Sequence, residues 1–581
     1  MKLELCNRRT RIILCISMIL LLAVLSPLVS GCNPLTARPA EPEQEEKTPE
    51  ELEREAEEER RRLEEEQRLE EERIKEEHRL REEALREELG PFFVPLPPLE
   101  QEDNPKVKAK ALYVTGNIAG LERRFNEMLE LVENTELNSF VIDVKNDHGV
   151  MSYRSNIEIV QESGANRNVP IKDIGAVMEE LQKRDIYPIA RVVIFKDPTL
   201  PEYRNDWAIQ RNTGGIWREK NIAWVDPYQK KVWDYNIAIA KEAALMGFRE
   251  IQFDYVRFPE NARRVDREAY YPANDGRLKE EVIEDFLAYA GEELEEYNVH
   301  LAADVFGVIS TSWGDSDQIG QSWERISPLV DYIAPMVYPS HYGRGYFGYD
   351  VPDANPGGVI RRSLTDAIKR NAPLEEPAII RPWLQSFTAT WVRGHIRYTE
   401  KEVREQIEEA LKLGIDEFMI WNAVNRYQPA SFLPESAARD LEDKINRQRE
   451  ENNHDVLGRT AEEALEAYLE AVRTRSWREV YIHQSTGFTM DHNAHRDWYN
   501  GWTSRLRSYT IKDHSLAGDQ YTFNVNMAFT VGSDAYQLED VPFEVFSENH
   551  IWRVKPGDTF IEKLTYEPAP DPEDEETQTQ P

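Results

Sequence analysis

The chain has 581 residues, with 107 Asp and Glu against 71 Lys and Arg and a net charge of −36. So acidic a surface excludes a nucleic-acid partner, whose phosphates need a basic face, while the length allows several domains. Its three cysteines, Cys6, Cys15 and Cys32, are too few and too early to build a disulfide framework or a thiolate metal site.

The first predicted element is a basic start (Arg8, Arg9, Arg11) and an apolar run over 12–29 that ends in Val29-Ser30-Gly31-Cys32. That order is the layout of a secretory signal. The small residues before Cys32 are similar to a bacterial lipobox, which implies removal of residues 1–31 and a lipid on Cys32. The expected location is the extracytoplasmic face of the cell membrane, held by that lipid. A plain transmembrane anchor is the alternative, since the run is nearly long enough to span a bilayer. Residues 32–105 read as a tether, in which Glu and Arg recur at helical spacing over 41–90. Leu52, Ala56, Leu63, Leu69, Ile74, Leu80 and Leu85 keep no heptad. A solvated helical spacer roughly 70 Å long is expected there rather than a stable coiled coil. Pro91 and the prolines at 95, 97 and 98 stop it.

Eight short apolar runs follow, at 111–115, 139–145, 187–195, 250–258, 300–307, 332–339, 379–387 and 417–423. Amphipathic segments such as 171–184, 230–246, 280–297 and 399–413 lie between them. Nearly continuous apolar strands alternating with helices are what a parallel sheet covered by helices requires. Eight such units predict an α/β fold, a (β/α)8 TIM barrel over 106–447. The connections 196–229, with Trp207, Trp217, Trp224 and Asp226, and 343–358 are long enough to suggest function. Beyond a polar break at 448–455, a helix at 460–474 precedes strands at 508–516, 520–531, 537–546 and 550–555. This pattern looks like a small α+β domain of the nuclear-transport-factor-2-like type over 456–565. The acidic, Pro-rich stretch 566–581 is expected to be disordered.

Barrel enzymes carry their chemistry at the C-terminal ends of the strands, and acids stand near those ends here. Asp254, in Phe-Asp-Tyr-Val-Arg-Phe-Pro, is costly in a buried strand unless paired. Arg257, three residues on, is its expected partner. Asp304, in Ala-Ala-Asp-Val-Phe-Gly, holds the matching position on the next strand, where Val305 and Phe306 would dry its surroundings. One ionised and one protonated carboxylate are the catalytic pair a glycoside hydrolase needs. The spacing that separates a retaining from an inverting outcome stays open at this point. Each acid could instead be structural, as a salt-bridged or hydrogen-bonded strand residue.

Asp143 and Lys145 alternate to one face of the second strand and are expected in the mouth, with Arg191 on the third strand as an interior partner for an acid. Asp226 reads as a helix N-cap. Tyr338 and the pairs Trp383–Gln385 and Trp421–Asn422 combine aromatic faces with polar groups, as a saccharide cleft would. No Gly-rich phosphate loop, dinucleotide fingerprint, His or Cys metal cluster, or Gly-x-Ser-x-Gly elbow occurs, so neither metal nor cofactor is expected.

The motifs Val-Ile-Asp-Val-Lys-Asn-Asp (141–147), Phe-Asp-Tyr-Val-Arg-Phe-Pro (253–259), Asp-Val-Phe-Gly (304–307), Pro-Met-Val-Tyr-Pro-Ser-His-Tyr (335–342), Arg-Pro-Trp-Leu-Gln (381–385) and Trp-Asn-Ala (421–423) occur in this order. Together they resemble a bacterial glycoside hydrolase family of TIM-barrel lipoproteins, distantly similar to α-amylase-like barrels. The resemblance spans about 106–427 and implies a glycosidase site. In α-amylase-like barrels the nucleophile is an Asp on strand four and the acid a Glu on strand five. Asp254 matches the first, and Asp304 stands where that Glu would be. An envelope enzyme cutting a cell-wall or capsular polysaccharide is the expectation. A lipoprotein scaffold that binds glycan without cutting it is the alternative.

Overall fold

The computed structural model describes residues 48–485 and 492–564. The expected signal sequence, the lipidation at Cys32 and the acidic tail lie outside these residues. Among the described residues, no helix is long and apolar enough to cross a membrane.

Helix α1 (Pro49–Leu89) runs for 41 residues without one buried side chain. Pairs one turn apart, such as Arg61 with Glu57 and Arg62 with Glu66, support it where no core does. Near its end Arg81 pairs with Glu296 at 2.6 Å, and Arg86 lies 4.1 Å from the centroid of Phe93. Gly90, in the left-handed conformation at φ +53, then turns the chain into Pro91.

The barrel strands are β1 (Lys110–Val114), β2 (Ser139–Lys145), β3 (Tyr187–Val193), β4 (Glu250–Asp254), β5 (His300–Phe306), β6 (Tyr332–Met336), β7 and β8 (Phe418–Trp421). Strand β7 comes in two pieces, Ile379–Ile380 and Trp383–Gln385, because Pro382 has no N–H to give the ladder. Every neighbouring pair is parallel, and β8 closes on β1 with Lys110 opposite Phe418. The covering helices are α2 (Glu122–Glu133), α3 (Ile174–Lys183), α4 (Lys230–Leu245), α5 (Lys279–Leu294), a single turn Trp323–Ile326, α6 (Pro356–Asn371), α7 (Glu400–Lys412) and α8 (Glu435–Glu451). The (β/α)8 barrel expected from eight apolar runs is the architecture observed. Helix α8 runs into the stretch expected as a break, since Gln448 to Glu451 are good helix formers that need no burial.

Inside the barrel, Ala111, Tyr113, Val141, Ile189, Ala334, Trp383 and Met419 form their own apolar cluster. Below it, at the N-terminal ends of the strands, lies a sealed ion network. Arg381 donates to both Glu250 oxygens at 2.8 Å and to Glu417 at 2.8 Å, with its guanidinium 3.5 Å from the Tyr332 centroid. Burial raises the pKa of both glutamates, and Arg381 opposes that rise.

After the barrel, α9 (Ala461–Thr474) packs on an antiparallel sheet, β9 (Arg505–Ala517), β10 (Gln520–Val531), β11 (Asp534–Glu548) and β12 (Ile551–Pro556). This part is tied to the barrel where α6 ends. Asn549 donates to the carbonyls of Ala372 and Leu374 at 3.0 Å each, and Arg553 also donates to Ala372. Carbonyls that a helix end leaves unpaired are satisfied there by another part of the chain.

Candidate active site

At the C-terminal end of the barrel, side chains from four strands converge on Arg191 of β3. Its Nη1 donates to Asp143 Oδ1 at 2.7 Å, and its Nε donates to Asp254 Oδ2 at 2.9 Å. Nη2 donates to the same Asp254 oxygen. Tyr113 donates its hydroxyl to Asp143 Oδ2 at 2.7 Å and stacks on Trp421 at 4.0 Å. Both rings lie within 5.6 Å of the guanidinium, which adds cation–π attraction. Burial disfavours the Arg191 charge, and the two carboxylates more than offset it, so its pKa is raised overall. The other oxygen of Asp254 accepts the backbone N–H of Tyr255 at 2.6 Å. Tyr255 adopts φ +52, a strained conformation for an aromatic residue, and that strain directs the N–H onto the acid.

Asp304 sits on β5 at 1% exposure, next to this triad but outside it. It has no cation of its own: Gln252 and Trp383 (2.7 Å) both donate N–H groups, and both bonds fall on Oδ1. Burial, then the charge of Asp254, pushes the Asp304 carboxyl well above its usual pKa. With both N–H donors on Oδ1, a protonated Asp304 would carry its proton on Oδ2. Tyr338 lies close enough that burial and the two acids together raise its phenol as well.

The arrangement departs from sequence expectation at several places. Arg257 does not orient Asp254; it donates to the Phe258 carbonyl and Glu260, under Phe306 at 4.3 Å. Arg191, which shares an inner-face register with both acids, takes that position. Lys145 does not reach the mouth. The register passes from Asp143 opposite Arg191 to Lys145 opposite Val192, so Val144 is an extra residue. Such a bulge turns the following side chain to the other face. Lys145 is consequently buried behind the sheet, donating to Asp197 at 2.9 Å and to Asn236 on α4 at 2.7 Å.

Gln385 and Asn422 are likewise committed to protein partners. Gln385 donates to Asp353 and to the Phe387 carbonyl, and Asn422 donates to the carbonyls of Ser386 and Arg426. Both hold mouth loops in place. Asp226 does not cap α4, whose N-cap is Gln229. It accepts the N–H groups of Tyr228 and Ala273, and burial raises its pKa to about 6. Trp207, Trp217 and Trp224 from the long third connection are core residues. Among the described residues, no group of acids, histidines or cysteines is arranged to hold a metal ion.

Two residues of this cluster escaped sequence reasoning, although period two along a strand could have found them. Gln252 precedes Asp254 by two residues, and Tyr113 stands two after inward Ala111.

Residues 111–427 match the model of a family described as "Putative glycosyl hydrolase domain". Among solved structures, a hypothetical protein from Ruminiclostridium thermocellum ATCC 27405 is 40% identical, covering 33% of this chain and 97% of its own, with a TM-score of 0.31. The PgaB (BpsB) glycoside hydrolase domain from Bordetella bronchiseptica is 13% identical over 58% of this chain and 99% of its own, at a TM-score of 0.42. The spore cortex-lytic enzyme SleL from Bacillus megaterium QM B1551 is 12% identical over 60% and 78%, at 0.35. No curated protein matches the chain.

Proposed function

The chain belongs to this glycosyl hydrolase family, and from that premise we propose that it is a lipid-anchored, extracytoplasmic glycosidase acting on a cell-wall, capsular or other envelope polysaccharide. Asp254 is the ionised carboxylate, acting as nucleophile or as base toward water, and Asp304 is the proton donor to the leaving sugar. The observation that carries this reading is one of charge: Asp143, Asp254 and Asp304 are buried together around a single guanidinium. Arg191 pairs with the first two, while burial and the charge of Asp254 raise the pKa of the third. One acid charged and one protonated at the same pH is the condition that paired-carboxylate hydrolysis imposes. Trp421, only partly buried and stacked on Tyr113, offers an aromatic surface beside these acids for the apolar side of a sugar.

The test is a screen of envelope glycans and aryl glycosides followed by two isosteric variants. Asp254→Asn should abolish turnover and spare fold and glycan affinity. Asp304→Asn should impair natural glycans far more than aryl glycosides, whose leaving groups need little protonation. Near wild-type turnover in both variants would refute the assignment. The anchoring part stands on Cys32: Cys32→Ala should release the protein or leave it unprocessed, and unchanged membrane association at mature size would refute that part alone.

A second reading, a scaffold that binds glycan without cutting it, draws support from the network at the other barrel end. Glu250, Arg381 and Glu417 show that this chain also builds such clusters where no ligand can enter. Glycan retention with no turnover in the unmodified protein would favour it.

A further inference from the structure

The loop that follows β7 carries a feature the acid cluster does not explain. Trp391 is the most exposed large apolar residue among the described ones, at 67%. Single exposed apolar residues are ordinary on a protein surface, but this one stands at the end of a chain of rings that begins beside the acids. Trp391 stacks on Phe387 at 5.9 Å with planes 21° apart, and Phe387 meets Tyr338 edge-on at 5.9 Å. Tyr338 packs in the same apolar cluster as Trp383, whose indole N–H donates to Asp304 at 2.7 Å.

The loop is also held in shape. Gln385 ties the Phe387 carbonyl to Asp353, the other Asp353 oxygen accepts the Ile396 N–H, and Tyr398 donates to the Asp353 carbonyl at 3.0 Å. Within the loop, Val392 N–H donates to the Ala389 carbonyl at 2.9 Å. The indole is thus presented on a fixed support, which lowers the ordering cost of binding. On the neighbouring connection, after β8, Val424 is left 66% exposed. The exposed indole, joined ring by ring to the interior of the mouth, offers a flat apolar face suited to the C–H faces of sugar rings.

We propose that Trp391 is the platform of an outer sugar subsite, joined through Phe387 and Tyr338 to the acid pair, and that the substrate is therefore a polymeric glycan rather than a mono- or disaccharide. This inference rests on the glycosidase reading, and its test separates the two. The full-length protein is run in native gels containing glycol chitin, hydroxyethyl cellulose, dextran or polygalacturonate, and its turnover is measured on short aryl glycosides.

At least one polymer should retard the wild type. Trp391→Ala should weaken that retention by about tenfold or more, Trp391→Phe should keep most of it, and aryl-glycoside kinetics should stay within about twofold of wild type. Retention unchanged by Trp391→Ala, or a wild type that none of the four polymers retards, would overturn the subsite. Neither result touches the glycosidase reading so long as aryl glycosides are cut. Conversely, polymer retention that depends on Trp391, in a protein that cuts no substrate, would leave the subsite standing and remove the enzyme.

Discussion

The barrel is closed at each end by the same device, an arginine between two carboxylates, and the two copies differ in what surrounds them. At the N-terminal end, Arg381 saturates Glu250 and Glu417, a tyrosine ring covers the guanidinium, and nothing acidic is left over. At the C-terminal end, Arg191 saturates Asp143 and Asp254, but a third buried acid, Asp304, has only neutral N–H donors. The first network is an expensive way to fill a barrel, because taking charges out of water offsets most of what their pairing returns. The second carries the same cost and adds an acid, Asp304, whose pKa burial raises. The comparison teaches that a buried ion network is not by itself a sign of chemistry, and the proposed chemistry is placed on the acid that has no cation of its own.

Swapping the same residue at each end should separate the two roles. Arg191→Met should lower turnover per folded molecule by about a thousandfold or more, because Asp254 loses the guanidinium that pairs with it and holds it in place. If kcat on the best substrate stays within about tenfold of wild type, the mouth triad is as structural as the other one. Arg381→Met should show the reverse. Two buried glutamates without a partner cost about 3–5 kcal/mol of stability, read as a lower denaturant midpoint, while kcat of the folded fraction stays near wild type. A large fall in kcat with stability preserved would overturn the contrast.

The smallest effect concerns stability at Asp304 itself. Its pKa is raised in the folded state, so its contribution is fully present below the unfolded pKa and is lost as pH rises through the folded one. Each pH unit in that window removes about 1.4 kcal/mol. Asp304→Asn cannot ionise and should unfold later than wild type at neutral pH, with the difference vanishing in acid. A variant less stable than wild type at neutral pH would contradict a strained, neutral Asp304.

Much of this was legible in the residues. The eight strands lie where apolar runs predicted them because a buried parallel strand must be apolar along its whole length. Asp254 and Asp304 stood out because acids interrupt those runs. What could not be read was which cation serves which acid. Arg257 is near Asp254 in sequence, but β4 ends there and Tyr255 turns the chain away, while Arg191 meets Asp254 only through the β3–β4 register. Lys145 was misplaced for a different reason. Strict alternation puts it beside Asp143, and the bulge at Val144 that cancels the alternation leaves no mark in the sequence. The tryptophans of the third connection, whose length suggested function, pack as core, with Trp207 against Phe92 and Trp224 against Tyr255.

The central claim is that at neutral pH the mouth holds Asp304 as a neutral acid beside a charged Asp254. Infrared spectroscopy of the unliganded protein in heavy water reads this directly, as the carbonyl stretch of a protonated carboxyl group resolved by difference against each variant. The account predicts a band in the wild type at neutral pH that disappears in Asp304→Asn and persists in Asp143→Asn. No such band in the wild type, or one that survives Asp304→Asn and is lost in Asp254→Asn, would contradict it.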